Sequence, residues 1–185
     1  MILRAIKLAV LAGAGVAAWK AINRQSPGSF FAQALRSGVA EVEAARSAQL
    51  RGASAEVRRF AQQVELDHTQ LNEDLAEAGG LEIPEPDARQ RAVQHAIDLN
   101  QGAAYDRAWL RHMARSHARA ISLYQRTVDQ AGPGARLASR ALPKLREHAR
   151  KVEELQLSAA QPGARGATAG TGAQAGEGHA GAQGS

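Results

Sequence analysis

Residues 54–80 read SAEVRRFAQQVELDHTQLNEDLAEAGG, and this stretch decides the fold. Val57, Phe60, Ala61, Val64, Leu71 and Leu75 recur at helical spacing on one stripe, with charged and amide side chains on the opposite face. Ser54 is a good N-cap, and Gly79-Gly80 stops the helix. One residue on the stripe is out of character. His68 stands four residues after Val64 and three before Leu71, where a leucine is expected.

The same pattern repeats on either side. A first helix is predicted from about Ser29 to Arg51, with Phe31, Leu35, Val39, Val42 and Ala45 in line. Residues 81–87, LEIPEPD, carry two prolines and read as extended chain. Asp87 can cap a short helix from Ala88 to about Leu99. A third long helix runs to about Asp129, with Trp109, Met113, Ala120 and Tyr124 inward. Gly132-Pro133-Gly134 is a turn. A fourth helix spans about Ala135 to Leu157, with Leu137, Ala141, Leu145, Val152 and Leu155 inward, and Pro143 inside it is expected to kink it or reset its first turn. No strand pattern appears. The prediction is an all-α, up-down-up-down four-helix bundle over residues 26–157, with a short extra helix before the third long one.

The composition agrees. The chain has 185 residues but only two Trp, two Tyr and three Phe, so its core is built mainly from Ala, Leu and Val, which suits closely packed helices. It has no cysteine, so a metal site must use His, Asp or Glu.

The two ends read differently from the middle. Arg4 and Lys7 precede an uncharged apolar run from Leu8 to Trp19. Residues 1–25 are therefore expected to form a signal peptide or signal-anchor helix. The rest would be exported, either periplasmic or membrane-anchored and facing the periplasm. Residues 158–185 are Gly, Ala, Gln and Thr with almost no large apolar residue, and are expected to be a disordered tail.

Three histidines share the property first seen at His68. His117 stands four after Met113 and seven before Tyr124. His148 stands three after Leu145 and four before Val152. All three point inward on the wheel, whereas His112 lies off the stripe. If the first and third turns share an end, the three lie about 15, 16 and 15 residues from it. That puts each roughly 22–24 Å along the axis. Three inward imidazoles at one level could hold one divalent metal, Zn or Fe, with a carboxylate from the first helix. Glu41 and Glu43 flank the apolar line there, and the wheel does not choose between them. Helices three and four lack the Glu-x-x-His spacing of a di-iron centre. The competing reading is a structural or interaction module with a buried histidine–carboxylate hydrogen-bond network. Asp106 also faces inward, but it lies about 16 Å from His117 along the helix and reads as a capping residue.

Arg107, Arg111, Arg115 and Arg119 step by four along the outside of the third helix. Without interleaved aromatics they form no single-strand binding surface, and no nucleic-acid partner is expected. They are a solvated face or a contact for anionic lipid head groups. No phosphate loop, nucleophile elbow or other catalytic motif is visible, and no enzyme activity is assigned.

Several short pieces together resemble the bacterial domain of unknown function 4142. They are Ala40-Glu41-Val42-Glu43, Phe60-Ala61 with Asp67-His68-Thr69, Gly102 with Tyr105-Asp106, His117, and Leu142-Pro143 with His148. The resemblance covers Phe30 to Leu155. It implies a ferritin-like bundle and an exported location, favours Glu43 as the first-helix carboxylate, and implies no activity.

Overall fold

The computed structural model describes residues 29–160. The signal or anchor expected at 1–25 lies outside them, and so does the tail beyond 160. Five helices account for nearly all of the described chain: α1 (Phe30–Arg51), α2 (Ala55–Gly79), α3 (Ala88–Asp98), α4 (Gly102–Val128) and α5 (Pro133–Ala160). α5 begins at Pro133, the first-turn position that tolerates proline, and it continues three residues past Leu157. Pro143 lies inside it. No helix among the described residues is long and apolar enough to cross a membrane.

Local chemistry explains the boundaries. The Ser29 hydroxyl accepts from the Ala32 amide at 3.2 Å, and the Ser54 hydroxyl accepts from the Val57 amide at 3.1 Å. Gly80 closes α2 in the left-handed region, at φ 63°. Asp87 and Gln90 form a reciprocal capping box at the start of α3. Gln90 also reaches α1, donating to the Arg36 carbonyl at 2.7 Å, so the same side chain docks the short helix.

The all-helical bundle with a short extra helix stands, but the helix directions require a correction. α1 packs on α2 and α4, and α5 packs on α4 and α2. The α1–α2 turn, taken here as the top, meets the start of α4. Asp106 accepts from the Ala53 and Ser54 amides, at 2.8 Å each, and Tyr105 and Ser47 share a 2.9 Å hydroxyl contact. At the bottom, Phe30 packs edge-on against Tyr124 near the end of α4. α4 therefore descends as α2 does, and the order is up-down-down-up instead of up-down-up-down. The physical reason lies in residues 81–98. The prolines keep 81–87 extended at about 3.3 Å per residue. α3 adds about 1.5 Å per residue. Together they climb roughly 39 Å, the length of the 25-residue α2. Asp106 is a cap, as expected, and the turn it caps belongs to the neighbouring hairpin.

The core has two apolar parts with a polar layer between them. The upper part gathers Ala44, Ala45, Ala48, Phe60, Tyr105 and Trp109 with their neighbours. The lower part gathers Phe31, Leu35, Leu75, Tyr124, Leu142 and Leu145 with theirs. Glu41, His68, Asn72, Ser116, His117 and His148 are the buried polar residues of the layer.

Candidate metal centre

Each histidine is set by the middle of a long helix. His68, His117 and His148 follow the first residues of α2, α4 and α5 by 13, 15 and 15 positions, in helices of 25, 27 and 28 residues. Because they stand at mid-helix, reversing the direction of one helix leaves them at the same height. The structure brings the three together. Their ring centroids are 5.4 Å apart in all three pairs. One ring nitrogen from each lies within 4.8 Å of the other two. All three side chains are buried, His117 completely.

The partners on the far side of each ring fix where the protons sit. His117 Nδ1 lies 2.9 Å from the Met113 carbonyl, which can only accept, so Nδ1 carries the hydrogen and Nε2 a lone pair. His148 Nε2 lies 2.9 Å from the Asp67 carboxylate, so Nε2 donates and Nδ1 is the bare nitrogen. His68 Nδ1 lies 2.9 Å from Glu41 Oε2. That contact is off-line for a hydrogen bond, and both atoms lack an aligned partner. A bare nitrogen and a carboxylate oxygen would repel at this distance, so the proton belongs on His68 Nδ1. His68 Nε2 is then a buried lone pair with no partner.

The two bare nitrogens of His117 and His148 face each other at 3.4 Å. With neutral rings neither has a hydrogen to offer the other. A tetrahedral zinc ion with bonds of about 2.0–2.1 Å needs nitrogens about 3.3 Å apart, which this pair already satisfies. The chemistry of the donor set therefore fits a divalent ion. His117 and His148 each present a lone pair inward and an acceptor-held N–H outward, the arrangement that orients metal-binding histidines, while His68 Nδ1 stands 2.9 Å from Glu41 without an aligned hydrogen bond.

Burial sets the charges. Desolvation pushes the His148 imidazole down to about 4, against the pull of Asp67, and desolvation also lowers His117. Both rings are thus neutral at pH 7, as metal ligands must be. Glu41 is buried, which by itself would raise its pKa. The nearby His68 and His117 rings and the donors on His68 and Ser116 outweigh that and hold the carboxyl well below the usual range.

The first-helix carboxylate requires a second correction. Glu43, which the resemblance favoured, is 48 % exposed and pairs with Arg46 at 3.1 Å. Glu41 is the inward one, 1 % exposed and bonded to the Ser116 hydroxyl as well as touching His68. With those partners it holds a ring in place instead of standing as a fourth ligand. A signal for this existed in α1. Ala34, Gly38, Glu41, Ala45 and Ala48 form a second buried stripe at helical spacing, next to the line of larger apolar residues. Sequence reasoning also missed Asp67 and Ser116 as partners. Each adjoins a histidine in the chain and is turned about 100° from it, toward the neighbouring helix.

A cavity of about 190 Å³ between α2 and α5 is lined by Asp67, His68, Leu71, Lys144, Leu145 and His148. It offers an entry path for an ion.

Fold and site together define a four-helix bundle with one long crossover and a mid-bundle imidazole triad. The chain belongs to the family described as Domain of unknown function (DUF4142), whose profile matches residues 13–155. Neither a curated protein nor a solved structure matches the chain.

Proposed function

We propose that this bundle binds one divalent transition-metal ion, Zn or Fe, through His68, His117 and His148, inside an exported protein of the cell envelope. The observation that carries the metal reading is the convergence of three buried imidazoles, each with a ring nitrogen within 4.8 Å of the other two, with the outer nitrogens of His117 and His148 held by acceptors. Three protein ligands leave at least one coordination position for water or a small ligand. Glu41, Asp67 and the Met113 carbonyl orient the rings. Export rests on Arg4 and Lys7 before the apolar run, and residues 1–25 supply any membrane association.

The test is metal content of the purified chain, followed by thermal melting with added Zn or Fe and with chelator. A ligand that binds only the folded state raises the melting temperature by mass action. A metal-free preparation whose melting ignores both metal and chelator would sink the metal reading.

One observation favours a second reading. Asp67, His148, His117 and the Met113 carbonyl form a continuous chain of contacts, at 2.9, 3.4 and 2.9 Å. A proton placed between His117 and His148 would make this a hydrogen-bond network that fixes helix register in an interaction module. Export of the chain is tested separately, by fractionating cells that express it with and without residues 1–25.

A further inference from the structure

The cleft beside α3 carries charge that the metal reading does not use. α3 lies outside α1 and α4, and a cavity of about 860 Å³ remains beside its first turn. Small residues make the room: Ala34, Gly38, Ala118 and Ala120 are all in its lining. Its cations are Arg36, Arg89, Arg119 and Arg126, and its single carboxylate is Glu41. Glu41 is already engaged by His68 and Ser116. Arg126 donates to the Ser122 hydroxyl at 2.6 Å. Arg89 and Arg119 come from different helices, are exposed, and have no carboxylate partner among the described residues.

The inner end of the cleft is polar and buried. Asn72 follows His68 by one helical turn and is 4 % exposed. Its Oδ1 has no hydrogen-bond partner. The amide fits there because residue 38 is glycine: a Cβ at that position would fall 1.9 Å from Oδ1. Oδ1 is packed against Gly38, so the amide nitrogen, which has no hydrogen-bond acceptor among the described residues, is the atom left to meet a ligand oxygen. Tyr124, Ser37 and Gln90 add further polar atoms to the lining. Guanidinium groups at a mouth take an oxyanion, and an amide at the floor takes a hydroxyl. A concave site with a few converging polar groups is the usual form of a small-molecule site.

We propose that this cleft binds a small hydroxylated organic anion, with its oxyanion at Arg89 and Arg119 and a hydroxyl against Asn72. The site goes beyond the metal reading: His68 and Glu41 border its inner end, but Arg89, Arg119 and Asn72 are not partners of the triad.

The experiment is calorimetric titration of the full chain in the presence of chelator, so that loss of metal binding and loss of anion binding are read separately. Glycerol 3-phosphate is the probe, with inorganic phosphate and glycerol as its two halves. Saturable binding of glycerol 3-phosphate is expected, about tenfold tighter than phosphate, with glycerol too weak to measure. The double variant Arg89→Ala/Arg119→Ala should lose at least about tenfold for both anions. Both residues are exposed, so folding is preserved, and circular dichroism checks it. Asn72→Leu should bring glycerol 3-phosphate down to the affinity of phosphate. Arg107→Ala/Arg111→Ala, on the same arginine ladder away from the cleft, should change nothing. Absence of saturable binding overturns the proposal. So does an equal loss in the Arg107/Arg111 control, which would mark a diffuse charge effect.

Discussion

Trp109 and His117 stand two turns apart on one stripe of α4, both completely buried, and their surroundings differ in kind. Around Trp109 every polar handle is closed. The indole donates to the Ala44 carbonyl at 2.9 Å, Tyr105 shares a contact with Ser47, and Asp106 takes two backbone amides of the α1–α2 turn. Around His117 the layer is left open. The buried side-chain atoms without an aligned partner among the described residues are Glu41 Oε2, both His68 nitrogens and Asn72 Oδ1. A bundle that closes Asp106 so fully can satisfy buried polar groups. Where it leaves them open together, within one helical turn on two neighbouring helices, the pattern points to use instead of stability.

Breaking the closed region should give the largest effect. Trp109→Ala removes a fully buried indole and is expected to cost about 3–5 kcal/mol, read by urea unfolding. If the two regions have separate jobs, the variant that remains folded should still bind metal. Loss of the metal site at temperatures where the bundle is intact would mean that the upper core positions the triad.

Next in size is His117→Leu. Removing one of three ligands should lower metal affinity by about two orders of magnitude or more, measured by competition with a chelating dye. In the metal-free protein the same change replaces a buried polar ring with an apolar side chain of similar volume. Stability should therefore hold or rise, by on the order of 1 kcal/mol. A loss of several kcal/mol without metal would favour the hydrogen-bond network.

How much of this was legible beforehand divides along the same line. The histidines could be read because helical periodicity specifies direction, and an imidazole on a leucine stripe stands out. Their common height survived a wrong helix direction only because each sits at mid-helix. The up-down-down-up order could not be read from periodicity, since the span of the crossover depends on 81–87 staying extended and on α3 docking through Gln90. The partners of the rings were hidden for a related reason. Asp67 and Ser116 lie on the flanks of their helices, and only the packing of α2 against α5 and of α1 against α4 turns a flank into a contact.

Glu41→Gln keeps the shape of the side chain and removes its charge. Metal affinity should drop about 10–100-fold, because the carboxylate orients His68. Asp67→Asn should cost less, since Asp67 is 20 % exposed and also meets Lys144. If Glu41→Gln leaves affinity unchanged, His68 is positioned by packing alone.

Acid should weaken the metal-free layer in two stages. His148 titrates near 4 when folded and near 6.5 when unfolded. Between those values the unfolded chain holds a proton that the folded one does not, so stability falls as pH drops through this window. His117, lowered by burial, acts in the same direction. Glu41 is held below its ordinary value, so it adds a further loss below about 4.5. A melting temperature that falls several degrees from pH 7 to 4.5 is expected. His148→Leu should flatten the upper part of that curve, and an unchanged curve would show that the ring is not held neutral.

The smallest effect is the most discriminating for the site. Glu43 is two residues from Glu41, carries the same charge, and lies outside the bundle in a pair with Arg46, which also holds Glu65 at 2.8 Å. An exposed pair of this kind contributes about 0–1 kcal/mol, and Arg46 keeps its second partner when Glu43 is neutralised. Glu43→Gln should therefore leave metal affinity unchanged and shift stability by less than about 0.5 kcal/mol. Measured beside Glu41→Gln, it compares two carboxylates two positions apart in the chain, one facing the triad and one facing water. Equal losses in the two variants would mean that general negative charge near α1 matters, and not the contact between Glu41 and His68.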